Sequence, residues 1–202
     1  NYTYYAYNRL NTLFRPMVTD ELSRFIEECG FEAVPVYPGV PETYPNNPDP
    51  IPGRPSPDVQ IQVRIAGMAC GLGEMGWSKV FLHPVFGPRV RLGTILTDAV
   101  LEPDPLIKPG TLCKRCMKCV KDCPGNAIPP KGGPSIKINI EGQEYEWGDV
   151  NMGRCTATHH GINYKASPFL KRYFPGFNLD ITDTTMSEEL AYKITHSLGR
   201  AQ

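Results

Sequence analysis

The cysteine-rich stretch in the second half of the chain is the feature that most limits what this sequence can fold into. Cys113, Cys116, Cys119 and Cys123 follow the spacing C-x2-C-x2-C-x3-C, and Pro124 comes directly after them. This spacing is typical of bacterial ferredoxin-type iron–sulfur sites, in which two-residue gaps let three thiolates converge on one cubane. Zinc is the alternative, but the C-x2-C pairs of zinc sites are usually separated by a longer stretch. The run therefore predicts a [4Fe–4S] cluster.

The total number of cysteines limits how many clusters the chain can hold. In two-cluster ferredoxins the fourth cysteine of such a run binds the other cluster, so that two all-cysteine cubanes need eight thiolates. This chain has seven, which allows one complete cluster and at most a second one with incomplete cysteine ligation. Cys155 is the predicted remote ligand. His159 and His160 are near enough in sequence to replace a missing thiolate, with ordinary surface histidines as the alternative interpretation.

Positive charge is concentrated around the cysteines. Residues 61–140 contain eleven Lys and Arg against five Asp and Glu, and four of these cations, Lys114, Arg115, Lys118 and Lys121, lie among the cysteines. A cluster with four thiolates is net negative, so nearby cations stabilise it and raise its reduction potential. The same surface can dock an acidic electron donor. We therefore expect a redox partner protein or a larger complex, and no nucleic acid.

Length and hydropathy give broader limits. A chain of 202 residues is long enough for one core and a small second unit. No apolar run reaches the ~18 residues that a membrane-spanning helix needs, so no transmembrane segment is predicted. The first residue is Asn1 and not Met, which indicates processing or trimming and is compatible with an exported form. Otherwise the expected location is the cytoplasm or the periphery of a membrane.

Caps, prolines and apolar periodicity predict the main helices and one long loop. A helix is predicted to begin at Thr19 and to end at Gly30, with Cys29 on the apolar face that packs in the core. A second helix near the end of the chain has Ser187 as its cap. Nine prolines within residues 35–57 predict a long extended loop that serves as a lid or as a contact with a partner.

Alternating or short apolar segments predict several strands. The last of them is a hairpin with its turn at Glu141 and Gly142. In chain order the segments are FEAVPV, VQIQVRIA, VFLHP, VRLGTILTD and SIKINIEGQEYEW.

The segment GLGEMG, from Gly71 to Gly76, matches the pattern G-x-G-x-x-G of dinucleotide-binding turns. That pattern needs a strand before it, a helix after it and an acidic residue about twenty positions later. The predicted strand VQIQVRIA and Asp98 meet two of these conditions. The following WSKVFLHPVFGPRV contains two prolines and indicates a strand and a turn instead of a helix, so a nicotinamide site is disfavoured.

Several blocks of the sequence together resemble one family. In order these blocks are IAGMACGLGEMGWSKVFLHPVFGPRVRLGTILTDAVLEPDP, LCKRCMKCVKDCPGNAI and YEWGDVNMGRC. They are similar to blocks of the corrinoid- and iron–sulfur-dependent reductases, namely the reductive dehalogenases and epoxyqueuosine reductase. The likeness covers about residues 15–160.

The resemblance implies an α+β fold with a nitroreductase-like α/β portion followed by a ferredoxin-like [4Fe–4S] module. The implied domains are a partial corrinoid-reductase-like domain over residues 1–107, an iron–sulfur domain over 108–165 and a C-terminal extension with a helix over 166–202. It further implies an oxidoreductase in which electrons pass through the [4Fe–4S] cluster to a cobalamin, which then cleaves a carbon–halogen or carbon–oxygen bond.

The resemblance also implies residues for the corrinoid and for catalysis. Gly71, Gly73 and Gly76 would let the backbone approach the corrinoid closely. A tyrosine, helped by a basic residue near the glycine turn, would supply a proton to the substrate. Lys79 matches the basic residue. Tyr5, or its neighbours Tyr4 and Tyr7, is the candidate for the tyrosine.

Two departures from the family pattern favour an alternative. The segment PFLKRYFPGFNLDITD contains no cysteine, whereas the family carries a second cysteine block there. Cys70 lies where the family usually has no cysteine, and is either a replacement ligand or a small buried residue. The alternative function is a non-catalytic electron-transfer or structural subunit of a larger redox complex, without the corrinoid. Flavin-dependent reduction on a nitroreductase-like fold is the third hypothesis.

Overall fold

The computed structural model describes residues 3–36 and 61–159 and, after these, residues 161, 164, 167, 169–173 and 175–176. The predicted proline-rich loop from residue 37 onwards, the helix capped by Ser187 and His160 therefore lie outside the described residues. The chain divides into two compact units. The first comprises Asn1–Gly73 and His83–Ile107, and the second comprises Glu74–Leu82 and Lys108–Gln202.

The described residues form five α-helices and six short strands. The helices are α1 (Arg15–Glu28), α2 (Val63–Ala69), α3 (Lys118–Lys121), α4 (Met152–His159) and α5 (Leu170–Tyr173). The strands are β1 (Ala33–Pro35), β2 (Glu74–Met75), β3 (Phe81–Leu82), β4 (Ile95–Thr97), β5 (Ser135–Ile140) and β6 (Gln143–Gly148). They pair antiparallel as β1 with β4, β2 with β3 and β5 with β6. No helix in the described ranges has the length and apolar character to cross a membrane.

Helix α1 begins earlier than predicted. A π-helical segment, Thr3–Phe14, runs directly into it, and Pro16 lies in the first turn of α1. Thr19 is therefore not a cap: its hydroxyl donates to the carbonyls of Arg15 and Pro16, at 3.2 and 3.0 Å. The predicted end is confirmed, since Gly30 has a φ of +92° after the last turn.

The face of α1 that packs in the first unit is not the predicted one. Its buried residues are Thr19 and Ser23, whereas Phe25 is 60% exposed. A Cβ at Gly93 would lie only 2.6 Å from the Thr19 methyl carbon, so the helix packs closely through a small residue. Cys29 is exposed, and its predicted role in the core is wrong.

The segment VQIQVRIA contains a helix, and its prediction as a strand is wrong. Helix α2 begins after Gln62, whose side-chain oxygen accepts the backbone N–H of Arg64 at 3.4 Å. This cap satisfies one of the unpaired donors of the first turn. Met68 is fully buried on one side of the helix. A helix comes before GLGEMG, and the β2–β3 hairpin begins within it. This is the reverse of the order, strand and then helix, that a dinucleotide-binding turn requires.

The second unit is built on two hairpins. The predicted hairpin over β5 and β6 is confirmed, with Ile136 opposite Trp147. Its two-residue turn has positive φ at both Glu141 and Gly142, +47° and +80°, as a type I′ turn requires. The N–H of Gly148 donates to the carbonyl of Trp77 at 3.0 Å and ties this hairpin to β2–β3. The buried hydrophobic side chains of this unit include Met75, Trp77, Phe81, Ala127, Tyr145, Trp147, Val150, Ala157 and Leu170.

Candidate iron–sulfur site

The four cysteines of the run lie on one loop and one short helix of the second unit. Cys113 and Cys116 come before α3, Cys119 lies within it and Cys123 follows it. Cys116 is exposed and the other three are half-buried. All seven cysteines of the chain are among the described residues, and none of them forms a disulfide.

The backbone between these cysteines has an unusual conformation. Arg115 and Met117, neither of them glycine, have φ values of +50° and +58°. Positive φ is uncommon for residues with a side chain and costs free energy, so it is concentrated at functional sites. Left-handed residues are also the elements of backbone nests, in which successive N–H groups form a concave site for an anion or an iron–sulfur cluster.

Two of the four cysteine sulfurs accept backbone hydrogen bonds. The N–H of Trp77 donates to Sγ of Cys113 at 3.3 Å, and the N–H of Ala127 donates to Sγ of Cys123 at 3.4 Å. Such bonds are best accepted by a thiolate, which is the form that binds metal. Hydrogen bonds to the sulfurs are also one of the means by which a protein sets the reduction potential of a cluster.

The sulfurs of the run influence one another electrostatically. Burial is the main cause that raises the pKa of the Cys119 thiol, and the neighbouring Cys113 and Cys116 raise it further. A bound metal ion would offset this clustering of sulfurs, because a coordinated thiol gives up its proton. Within the described ranges, no three His, Cys, Asp or Glu side chains are grouped closely enough to hold a single metal ion. In a cubane each cysteine binds a different iron atom. The donor set, the strained backbone and the N–H···S bonds fit such a cluster.

Glu74 holds the loop that leads into the run. This side chain is buried, and Oε1 accepts the N–H of Gly110 at 2.6 Å while Oε2 accepts those of Leu112 and Cys113 at 2.7 and 3.3 Å. A second contact comes from the turn that follows Glu74, where Trp77 donates its N–H to the sulfur of Cys113. Glu74 lies within GLGEMG and Trp77 directly after it, but nothing in the local sequence indicates that either residue contacts the cysteine run.

Trp77 and Arg115 connect the run to the β5–β6 hairpin. The indole Nε1–H of Trp77 donates to the carbonyl of Pro129 at 2.8 Å. The guanidinium carbon of Arg115 lies 5.4 Å from the centre of the Trp77 ring, within cation–π range. Arg115 also forms an ion pair with Glu146 at 2.7 Å. The hydroxyl of Ser135 donates to the Glu146 carboxylate, and this bond, with Arg115, lowers the pKa of Glu146.

The glycines of GLGEMG divide between the two units, since Gly71 and Gly73 belong to the first and Gly76 to the second. Gly71 has a φ of +72°, and a Cβ there would lie 2.8 Å from the carbonyl oxygen of Pro105. The chain itself therefore requires a glycine at this position. Gly76 donates to the carbonyl of Val80 at 2.8 Å, in the turn of the β2–β3 hairpin. Corrinoid binding by these glycines stays a prediction.

Lys79 and Tyr5, the predicted catalytic pair, belong to different units. Lys79 is half-buried in the β2–β3 turn, with a φ of +62°, and its N–H donates to the carbonyl of Gly76 at 2.9 Å. Tyr5 lies in the segment Thr3–Phe14, where the side chains of residues 3–8 lie outside the description. The catalytic roles of both residues stay predictions.

The remaining candidate ligands are Cys155, His159 and Cys70. Cys155 and His159 are both exposed on α4, in the same unit as the run. Cys70 is exposed at the end of α2, so its interpretation as a small buried residue is wrong. Two roles stay predictions: Cys155 as a remote ligand of the cluster, and Cys70 as a replacement ligand.

Known proteins show what the chain is related to. No family model matches it. It is 38% identical to a tetrachloroethene reductive dehalogenase of Desulfitobacterium hafniense over 81 residues, 39% of this chain and 14% of that protein. The corresponding dehalogenase of Sulfurospirillum multivorans is 29% identical over 111 residues, 50% of this chain and 22% of that protein.

A second kind of reductase matches as well. An epoxyqueuosine reductase of Listeria monocytogenes is 34% identical over 68 residues, 34% of this chain and 17% of that protein. The chain thus aligns with only 14% to 22% of the length of these three relatives. These matches make the chain a distant relative of the reductive dehalogenases and of epoxyqueuosine reductase.

Proposed function

We propose that the chain is an iron–sulfur redox protein that holds a [4Fe–4S] cluster and passes electrons to a corrinoid for reductive cleavage of a carbon–halogen or carbon–oxygen bond. The observation that carries the proposal is the environment of the cysteine run. Backbone N–H groups donate to Sγ of Cys113 and Cys123, and two residues between the cysteines adopt left-handed conformations. The relationship to named reductases supports the same redox role.

The proposed fold is a nitroreductase-like α/β portion joined to a ferredoxin-like module. The second unit, with its two hairpins and its cysteine loop, corresponds to the module. The first unit, with α1, α2 and the β1–β4 pair, corresponds to a part of the corrinoid-binding portion. The chain aligns with less than a quarter of the length of these relatives. We therefore assign to the aligned part only some of the contacts that a corrinoid needs.

The cysteines of the run are the proposed cluster ligands, and the cluster supplies one-electron transfer when it is bound. The residues of the chain do the rest. The N–H groups of Trp77 and Ala127 disperse thiolate charge at Cys113 and Cys123, and Arg115 adds a nearby positive charge. Both effects favour the reduced state, because they stabilise the extra electron. Trp77, which is buried and donates its N–H to Cys113, limits the access of water to that cysteine.

Cys155 is the proposed ligand of a second cluster, whose cysteine ligation is incomplete. It lies on helix α4, and this helix packs against the end of the cysteine run. A Cβ at Gly125 would clash with the hydroxyl of Thr158, and the N–H of Asn151 donates to the carbonyl of Ala127 at 2.9 Å. Cys155 and Thr158 are three residues apart, so they lie on neighbouring positions of one helix face. This packing brings α4 to the loop that carries Cys123.

The surface around the run is suited to an acidic electron-carrier protein. All six cations of residues 108–131 are exposed, against one exposed acidic residue, Asp122. Electron donors with complementary charge would be steered to this surface and would reach it faster at low ionic strength. These cations are Lys108, Lys114, Arg115, Lys118, Lys121 and Lys131.

The alternative function, an electron-transfer or structural subunit without a corrinoid, is favoured by one observation. At Gly71 the space that a side chain would need is already filled by the backbone of Asp104 and Pro105. The glycine turn therefore has a structural use that requires no cofactor. On this alternative the cysteine site is unchanged and only the corrinoid is lost.

Metal analysis of anaerobically purified protein, with absorption and electron paramagnetic resonance spectra, tests the proposal. We expect about four iron atoms and four sulfides per chain for each cubane that is bound, together with cobalt and a corrinoid spectrum. Cys116→Ser should lose most of the iron, whereas the matched control Cys29→Ser, at an exposed cysteine of the first unit, should keep it. Iron without cobalt selects the alternative. A flavin spectrum selects the third hypothesis, and equal iron in both variants overturns the cysteine site.

A further inference from the structure

Glu74 is a buried acidic residue that the proposed electron transfer leaves without a role. Only 5% of its surface is exposed, and burying a carboxylate is unfavourable unless its oxygens are hydrogen-bonded. Both oxygens act as acceptors, from three backbone N–H groups of the Gly110–Cys113 loop. An ionised carboxylate accepts hydrogen bonds and donates none, so this arrangement suits a negative charge at Glu74.

The three hydrogen bonds fix the backbone that leads into the first ligand. Residues 110–113 belong to no helix or strand of the structure, so they lack the regular backbone hydrogen bonds that would hold them. Glu74 accepts from Gly110, Leu112 and Cys113 over a span of only four residues. Removing the carboxylate would leave these donors without this acceptor and would free the loop to move.

The same hairpin holds Cys113 at two of its atoms. The backbone N–H of Cys113 donates to Glu74, while its Sγ accepts from the N–H of Trp77, at 3.3 Å in each case. Glu74 begins β2 and Trp77 lies in the turn after it. Both atoms of Cys113 are thus held by residues 36 to 39 positions earlier in the chain.

We propose that Glu74 is a positioning residue of the iron–sulfur site, which holds the Cys113 loop in its ligating conformation and lowers the reduction potential of the cluster through its negative charge. The inference rests on the proposed function, because it requires a cluster at the run. The direction of the second effect follows from electrostatics: a nearby negative charge disfavours the addition of an electron to the cluster. Arg115, which lies over Trp77, acts in the opposite direction.

The test compares Glu74→Gln and Glu74→Asp with the matched control Glu144→Gln. Glu144 lies in the same unit and loses the same charge, but it is exposed and paired with Lys137. Two quantities are measured on the anaerobic holoprotein: the midpoint potential, from a redox titration followed by electron paramagnetic resonance, and the rate of iron release to a chelator.

For Glu74→Gln we expect a more positive midpoint potential, altered g-values and iron release at least several-fold faster than in the wild type. Glu74→Asp keeps the charge but shortens the reach, so its potential should return towards the wild-type value while iron release stays faster. Glu144→Gln should match the wild type in both measurements. A shift in potential that the Asp variant reverses is not expected from a loss of packing alone.

A folded Glu74→Gln protein with wild-type potential and iron release would overturn the inference. If circular dichroism shows that Glu74→Gln is unfolded, Glu74→Asp decides, and unchanged iron release in that variant overturns the positioning role. These outcomes are separate from failure of the proposed function, in which the wild-type chain itself binds no iron and Cys116→Ser changes nothing.

Discussion

The two compact units bury different kinds of residues. In the first unit, α1 buries the small polar residues Thr19 and Ser23 and exposes large apolar ones such as Phe25. In the second unit the core is aromatic, with Trp77 and Tyr145 almost fully buried. Burial of large apolar side chains is the main source of stability. In the described part of the chain, most of the buried apolar side chains therefore belong to the second unit, which also carries the cysteine run.

The largest expected effect is on the aromatic core. Trp77→Ala removes a side chain that is 4% exposed and hydrogen-bonded to Pro129, so unfolding should become easier by about 3–5 kcal/mol. Phe25→Ala, at a side chain that is 60% exposed, should change stability by no more than about 0.5 kcal/mol. Urea unfolding of both variants gives these values. If both variants lose the same free energy of unfolding, the two units do not differ in how much their aromatic side chains stabilise the fold.

The second prediction concerns glycines within the first unit. Gly71→Ala combines a positive φ with a contact at 2.8 Å to the Pro105 carbonyl, and should cost about 2–5 kcal/mol from backbone strain and overpacking together. Gly30 has a positive φ but no atom within 4 Å of an added Cβ, so Gly30→Ala should cost only about 1–2 kcal/mol. The difference between the two melting curves isolates the contact. If the two variants have the same melting temperature, the close approach of the Pro105 carbonyl to Gly71 does not contribute to the loss of stability.

The third prediction compares the charged surfaces of the two units. Replacing Lys118 and Lys121, both exposed beside the cysteines, by Glu should slow reduction of the protein by an acidic ferredoxin about tenfold at low salt. Arg24→Glu reverses the charge of an exposed side chain in the first unit and should leave the rate of reduction unchanged. Stopped-flow absorption at increasing ionic strength measures both. A rate that depends on neither charge nor salt would assign electron entry to another surface.

The smallest effect is on the pH dependence of the second unit. The Ser135 hydroxyl and Arg115 lower the pKa of Glu146 from its ordinary value of 4.5. The contribution of Glu146 is therefore fully present above pH 4.5 and is lost as the pH falls through the lowered value in the folded protein. Glu146→Gln should cost about 1 kcal/mol at pH 7 and nothing at the lowest pH. Thermal unfolding of the cluster-free protein across this range checks the sign, and a cost that grows in acid would contradict it.

Local patterns predicted the second unit better than the first. The β5–β6 hairpin was predictable because its turn chemistry and two-residue period act over short distances, and Glu141 and Gly142 adopt the expected positive φ. The helix in VQIQVRIA was not predictable, because the alternation of apolar and polar residues in this segment fits a strand. Only the Gln62 cap and the burial of Met68 favour the helix. For such short segments tertiary packing decides between the two structures.

The cysteines of the candidate site could be picked out from the sequence, but the residues that support their loop could not. The spacing of the four cysteines is visible in the sequence, because each gap reflects a local loop. Glu74 contacts its three partners across 36 to 39 residues, and no local pattern indicates such a pairing. In the sequence, Glu74 is only one residue of the segment GLGEMG. Its partners become apparent only when the chain is folded.

The long separation between Glu74 and the loop that it binds has a consequence for biosynthesis. The ribosome makes Glu74 39 residues before Cys113, so the carboxylate is already present when the loop emerges. Non-local contacts of this kind form late in folding, since a long intervening segment must first be closed. The cysteine loop is therefore ordered by the completed chain and not by its own sequence. A delivery system for iron and sulfide would meet a site that folding has already prepared.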